Sequence, residues 1–459
     1  MPRPFAEPQG DTVERNPYAR IEPSLTEPLT QRRILRLWLP LAAMWLLMSL
    51  EQPTLSAVIA RLPEPKLNLA AYGLTFAMAL IVESPVIMFL TLGTALARSR
   101  QAYQMLMQFT HIMAWGLTGL HLLLGLSPLY AWILAEVVGA PAEVIEPSRI
   151  AFLLMTPWTG AIAYRRMWQG VMIRYGQTQA LFISTAIRLV TTAAVALAGL
   201  ASGALPGASV AGLAISAGVL ADAAAAGVLV RPVVRQHLSV SRPGDYTLAW
   251  PYLLRFYTPL AMTSLINLAA QPIVSLGLSR GPMPLESLAV WPVISGLTFL
   301  LRSGGVAMQE VVVALLADQS SYRALRRFSH SLALTLTGIA ALVTLTPLAN
   351  LWFTGVAGLP ADLAALARVP AALMVLVPAL TVLTSWQRGV LVFFSRTGAI
   401  TVATAINIVV LLAVVLGGVR LLPWPGAVVA ALALTASLLA EVAYLTAQAH
   451  RALRFETRA

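Results

Sequence analysis

The chain has 459 residues, 58% of them hydrophobic and only 11% charged, with a mean hydropathy of +0.76. A soluble domain carries about a quarter charged residues, so this is a polytopic membrane protein. The formal net charge of +12 does not point to nucleic acid, because Lys66 is the only lysine and no basic run with interleaved aromatics occurs; without cysteine there is no disulfide and no thiolate metal site.

Residues 1–31 are polar and rich in proline, lack an apolar signal core, and read as a disordered cytoplasmic tail. Twelve apolar segments follow, each long enough for the roughly 20 residues that a bilayer demands. They are 34–60, 69–97, 103–126, 149–174, 179–201, 208–230, 253–279, 288–316, 328–351, 368–394, 400–420 and 425–448. Several exceed the required length, so tilt or kinking is expected. The segments group into a lobe over 32–235, a polar linker over 236–250, a second lobe over 251–450 and a short tail over 451–459. Basic residues set the orientation. With the amino terminus inside, one side collects Arg32, Arg33, Arg36, Arg98, Arg100, Arg231 and Arg235 among others, and the other keeps Arg61, Lys66, Arg149, Arg280, Arg368 and Arg420. Both termini are therefore expected in the cytoplasm, in a plasma (inner) membrane.

An internal repeat organises the chain. Shifted by 219 residues, "PLAAMWLLMSLEQPTLS" from Pro40 meets "PLAMTSLINLAAQPIVS" from Pro259, and "PGASVAGL" from Pro206 meets "PGAVVAAL" from Pro425. Each half has six segments, an even number, so the halves share one orientation as parallel repeats. In such transporters the substrate site lies at the repeat interface near the midplane. The fold expected is all-α, two pseudo-symmetric six-helix lobes.

A charge at the bilayer centre costs about 2.5–3.5 kcal/mol or more, which makes each one a candidate for function. Glu83 is central to the second segment and its repeat mate Arg302 to the eighth, so the halves keep the position and exchange the sign. A Glu83–Arg302 pair is possible across a central cavity, either as substrate contact and gate or as a structural lock. Arg165, Arg166 and Gln169 lie in the fourth segment, and Arg388 is the mate of Gln169. They either line a vestibule or snorkel toward the inner surface. Glu51, Gln52 and Pro53 interrupt the first apolar run; Gln52 and Pro53 recur as Gln271 and Pro272, whereas the mate of Glu51 is Ala270. The recurring pair reads as a kink with its amide near the cavity. Glu51 is expected to pair with an arginine or to titrate as a coupling site, a role also open to Glu83. Arg188 is expected to neutralise Asp222, whose mate is Glu441. Glu310 is expected to pair with Arg323 or Arg326, and His111 and His330, also mates, to cap or sit at the interface.

No GxxxxGK[ST] loop, HExxH or other metal-ligand spacing occurs. The reading is of a transporter, not an enzyme, with no catalytic residue, cofactor or metal.

The stretches "LPLAAMWLLMSLEQPTLSAVIA" (Leu39–Ala60), "LAAYGL" (Leu69–Leu74), "SRIAFLLMTPWTGAIAYRRMWQGVMIRYG" (Ser148–Gly176), opened by Arg149, and "RFYTPLAMTSLINLAAQPIVSLGLSR" (Arg255–Arg280) carry a resemblance. The chain resembles the progressive ankylosis (ANKH-like) protein family, within the superfamily of MATE-like multidrug, oligosaccharidyl-lipid and polysaccharide exporters (MOP). That resemblance implies a MATE-like bundle and export of multivalent anions such as citrate, pyrophosphate or nucleotides by alternating access. Five arginines inside the spans suit carboxylate or phosphate, which a planar guanidinium grips with two bonds. The alternatives are a proton- or sodium-coupled multidrug exporter of MATE type, with an acidic, aromatic cavity, and a flippase for lipid-linked precursors. The partners expected are a small anion and the bilayer, with no nucleic acid, and the chain is expected to be a monomer.

Overall fold

The computed structural model describes residues 29–238, 240, 245–394 and 396–456. Nearly all of the expected amino-terminal tail, part of the linker and the last residues lie outside them. Twelve segments traverse the bundle: α1 (Gln31–Ala60), α2 (Pro65–Leu96), α3 (Arg100–Leu126), α4 (Ala142–Leu154 continued by Thr156–Arg174), α5 (Gln179–Ser202), α6 (Gly207–His237), α7 (Trp250–Arg280), α8 (Pro284–Leu315), α9 (Gln319–Leu345), α10 (Ala361–Phe393), α11 (Gly398–Leu421) and α12 (Gly426–Ala452). Among the described residues, eleven helices are long and apolar enough to cross a membrane. α4 is the twelfth segment, made more polar by Arg165, Arg166 and Arg174. It begins earlier than expected, so Arg149 does not open it. Arg149 lies inside the helix and its Nε donates to Glu146 at 2.8 Å. The chain is a multi-pass membrane protein.

The repeat recurs in the backbone. α1, α2 and α4 are interrupted at Leu50, Met88 and Met155, and α7, α8 and α10 at Ala269, Ala307 and Met374, the same positions 219 residues on. Proline explains four of the six breaks, since it lacks an N–H and its ring meets the carbonyl four residues back. Pro53, Pro157, Pro272 and Pro378 each follow a break by two to four residues. At the α4 break Thr156 Oγ1 donates to the carbonyl of Leu153, the one Pro157 leaves free, at 2.7 Å. Among the described residues, two non-glycine residues have left-handed backbone, Glu64 (φ 52°) and Met283 (φ 55°), again repeat mates, each ahead of a proline that starts a helix.

α2 and α8 cross at the centre, where a Cβ on Gly73 would stand 3.1 Å from Pro292 Cγ. The first helix of each half also reaches the other half. Before its break, α1 packs on α8 and α9; Trp38 Nε1 donates to the carbonyl of Gly304 at 2.8 Å and Gln31 Nε2 to that of Ala324 at 3.0 Å. Before its break, α7 packs on α2, with the Tyr257 ring 5.9 Å from Phe89 and 4.9 Å from Phe109. The half-chains are therefore stitched together at the face that bears both termini.

The opposite, distal face is closed by clasps. Arg61, after α1, donates to the carbonyls of Gly355 and Val356 at 2.8 and 3.0 Å. Arg280, its mate, donates to those of Glu136 and Val137, both at 2.9 Å. Both acceptor pairs lie in short π-helical turns, Ile133–Val138 and Leu351–Val356. Lys66 adds a hydrogen bond to Glu286 at 3.1 Å and an ion pair with Asp362 at 3.7 Å.

Candidate functional site

A cavity of about 350 Å³ lies between the half-chains at the level of the α1 and α7 breaks. That falls within the roughly 300–1,000 Å³ of small-molecule sites. α1 supplies Glu51 and Gln52, α2 Tyr72 and Glu83, α4 Arg165 and Arg166, and α5 Arg188. α7 contributes Gln271, and α8 contributes Trp291 and Arg302. Seven of the nine candidate positions from the sequence thus meet at one site: Glu51, Gln52, Glu83, Arg165, Arg166, Gln271 and Arg302.

The broken helices aim these groups. The α1 break turns Glu51 toward α5, where Arg188 clamps it. Arg188 Nε donates to Glu51 Oε1 at 3.0 Å, its second nitrogen bonds Oε2, and Thr192 Oγ1 donates to Oε1 at 3.3 Å. Gln52 points along the cavity wall and accepts from the Tyr72 hydroxyl at 3.0 Å. Arg165 turns back into its own half-chain and donates to Asp222 Oδ2 at 2.8 Å, the pair almost wholly buried.

The remaining charges are less satisfied. Glu83 is 3% exposed, and its Oε2 has no hydrogen-bond partner. Arg165, Arg166 and Arg188 attract its charge, and Glu51 repels it. Arg302 rests over the Phe299 ring at 5.6 Å. Neither Arg166 nor Arg302 has a carboxylate within ion-pair distance among the described residues. Four arginines face two glutamates, a formal excess of two positive charges, and Asp222 behind Arg165 takes back one. Such a cavity can hold an anion through planar, two-pronged donors.

Several expectations need correction. No Glu83–Arg302 ion pair forms among the described residues: both groups line the cavity, and the arginines acting on Glu83 come from α4 and α5. Arg188 does not neutralise Asp222, because Arg165 already does. The other half keeps the expected pattern instead: Asn407, the mate of Arg188, donates to Glu441, the mate of Asp222, at 2.9 Å. Gln169 and Arg388 do not line the cavity. Gln169 donates to Ser184 at 3.3 Å, and Arg388 pairs with Glu441 at 2.5 Å inside the second half. Each half thus holds one α4-type arginine against one α6-type acid, but the arginine shifts one helical turn between Arg165 and the position of Arg388. Glu310 has no ion pair among the described residues. His111 and His330 each lie eleven residues past the first residue of their helices, so neither caps one: His111 meets the Tyr164 ring edge-on, and His330 bonds the carbonyl of Arg326 in the preceding turn. Arg188, Tyr72 and Trp291 were not among the sequence candidates for the cavity. Arg188 was visible as a charge within a span, and the aromatics carried no signal that set them apart from core.

No family model matches the chain, and no curated protein matches its sequence. Solved structures do match in fold. An inward-facing multidrug resistance MATE family transporter of the MOP superfamily aligns over 92% of this chain and 99% of its own, with a TM-score of 0.71 at 12% identity. The fold is that of the MATE-type transporters. The outward-facing form of such a transporter scores 0.60 at 14% identity, over 92% of this chain and 95% of its own. A MOP superfamily transporter from Pyrococcus furiosus, described by the reversed polarity of its binding pocket, scores 0.61 at 13% identity over 92% and 96%. The lipid II flippase MurJ, in an inward closed conformation, scores 0.63 at 12% identity over 89% and 87%.

Proposed function

We propose that the protein exports small multivalent anions, of the citrate, pyrophosphate or nucleotide kind, by alternating access of its two half-chains. The observation that carries this reading is the cavity's excess of arginine, with Arg166 and Arg302 in no ion pair among the described residues. Arg302 and Arg166 are the substrate contacts, Glu83 tunes their charge, Gln52 and Gln271 offer amides at the bends, and Arg165 and Arg188 hold the walls. Glu51 and Glu83 are the gate or coupling carboxylates. The fold matches, the expected positive-inside arrangement and the distal clasps together support an outward-closed state, with the clasped face outside and both termini in the cytoplasm of a plasma (inner) membrane. A polyanion leaving an inside-negative cell gains about 2.3 kcal/mol per charge per 100 mV, so the potential alone suffices to drive export. The resemblance to the progressive ankylosis family points the same way. The protein acts as a monomer, without cofactor or metal, and is not an enzyme.

A second reading has its own support. Trp158, Trp291, Phe76 and Phe299 also line the cavity beside Glu51 and Glu83, as a cation exporter would require. The deciding experiment is transport into proteoliposomes of labelled citrate, pyrophosphate and ATP beside a cationic dye. Anion flux without dye flux is expected. Dye flux without anion flux would replace the first reading with the second.

A further inference from the structure

A second cavity, a groove of about 980 Å³, opens on the flank of the first half-chain and is separate from the central site. Its floor is α4 and its walls are α3 and α6. Those walls face outward along the bundle: Trp115 is 70% exposed and Val228 56%. The groove is shaped by two glycines. A Cβ on Gly227 would stand 2.9 Å from the Trp168 ring, and one on Gly160 2.8 Å from Thr118 Oγ1. Trp115, Tyr164 and Trp168 give it aromatic sides.

One end of the groove is cationic. Arg231 and Arg235, one turn apart on α6 and so on one face, line it within the last two turns before His237. Both are exposed, and neither has a hydrogen-bond or ion-pair partner among the described residues. No acidic side chain lines the groove among the described residues. From Arg231 to Leu220, the far lining residue on α6, is eleven residues. At 1.5 Å per residue that is about 16 Å, close to half of a hydrocarbon core about 30 Å thick. The groove therefore has the depth of one leaflet, with its charge at headgroup level.

The second half-chain does not repeat it. The mates of Gly160 and Gly227 are Ala379 and Thr446, and those of Trp115, Tyr164 and Trp168 are Leu334, Leu383 and Gln387. Gln387 bonds Thr446 across the equivalent position. A feature kept in one repeat and filled in the other is not a requirement of the fold.

We propose that this groove is a binding site for one anionic phospholipid of the leaflet on the terminal side, its acyl chain on α4 between α3 and α6 and its phosphate on Arg231 and Arg235. This lipid site is independent of what the central cavity carries. The test is native mass spectrometry of the full chain in detergent, titrated with phosphatidylglycerol or with phosphatidylcholine of the same acyl chains. One phosphatidylglycerol is expected to be retained in preference by about 25-fold, taking about fivefold for each arginine near an anionic surface. The Arg231→Ala/Arg235→Ala variant, both positions exposed, should bring the two lipids level. Gly227→Leu should weaken both lipids together. Soluble glycerol 3-phosphate should bind no better than background. Equal retention of the two lipids by the unaltered chain would overturn the proposal, as would unchanged selectivity in the double arginine variant. Tight binding of glycerol 3-phosphate alone would remove the acyl chain from it.

Discussion

Arg61 and Arg280 stand 219 residues apart and make the same bond in opposite directions, each to two consecutive backbone carbonyls of the other half-chain. Their acceptors, Gly355–Val356 and Glu136–Val137, are themselves repeat mates. The pair forms a two-fold latch on the distal face, and any motion that opens that face must break both arms. Hydrogen bonds to a charged group contribute about 1.5–3 kcal/mol, less at an exposed site. Arg61→Ala is therefore expected to shift the closed-to-open ratio by about tenfold, and the double alanine variant by more. Because the chain has no cysteine, Glu143→Cys and Ala361→Cys can be spin-labelled without further changes. A distance distribution across the distal face that does not lengthen in the double variant would rule out the latch.

Gly139 and Gly358, mates again, make room for that latch. They have φ of 80° and 71°, and an added Cβ would stand 3.0 Å from the Arg280 side chain and 2.8 Å from Arg61. Left-handed backbone costs an L-residue about 1–2 kcal/mol. Gly358→Ala should thus lower the melting temperature and also lengthen the distal distance. A melting temperature equal to that of the unaltered protein would show that the turn relaxes freely.

Glu51 and Arg188 are 11% and 15% exposed at the side chain and clamp α1 to α5. Removing one partner of a buried pair leaves the other uncompensated, typically at a cost of about 3–5 kcal/mol. Arg188→Ala and Glu51→Ala should each destabilise the protein strongly, and the double variant less than their sum. Thermal unfolding of the four proteins in detergent gives the coupling; strictly additive losses would mean that the pair contributes nothing.

The architecture was legible because its signals are local. Twelve apolar runs, prolines at fixed spacing and a shared offset were enough for the segments, the parallel repeat and the bend at Gln52–Pro53. That Glu83 and Arg302 face one central cavity was also legible, since charges inside a membrane have few places to go; that Glu51, Arg165 and Arg166 join them there was not. Nor were the pairings. Arg188 and Arg165 both lie within reach of Asp222 in principle, and only the helix faces decide which one bonds it. Arg388 looked like a cavity residue because its mate Gln169 did, yet neither faces the cavity. The latch was invisible because its acceptors are backbone carbonyls, which leave no mark in the side-chain sequence. Glu136 appears in it only through its carbonyl.

Outside the membrane the repeat also governs helix starts. Asp318 caps α9 with a reciprocal box: its Oδ1 accepts from the Ser321 amide at 2.7 Å, and Ser321 Oγ accepts from the Asp318 amide at 2.9 Å. Its mate Ser99 caps α3. The Ser321 amide, then the Ser321 and Ser320 hydroxyls, hold the Asp318 carboxyl below its usual range. A depressed folded value means stability that is fully present above the unfolded pKa, about 3.9, and lost as pH falls through the folded one. Asp318→Ala should cost about 1 kcal/mol at neutral pH and flatten the acid limb of the stability curve. Asp318→Asn, which keeps the acceptor, should retain most of the stability but lose the same pH dependence. An Asp318→Asn curve that still falls like the unaltered one would assign the acid limb to other groups.

Arg302 is the sharpest test of the central site, because it reaches the cavity from α8 with no carboxylate within ion-pair distance among the described residues and lies over the Phe299 ring. An inert structural arginine would have a partner to lock. A substrate contact needs its fork free, and one two-pronged bond to an anion is worth about 1.5–3 kcal/mol, or roughly 10- to 100-fold in affinity. Arg302→Ala should therefore weaken citrate or pyrophosphate binding by that factor, followed by the fluorescence of Trp291 and Trp158 in the same cavity. Arg302→Lys keeps the charge but not the planar fork, so it should fall between the two. Full anion flux in proteoliposomes carrying Arg302→Ala would take Arg302 out of the site and leave Arg166, deeper among the charges of α4 and α5, as the only free cation there among the described residues.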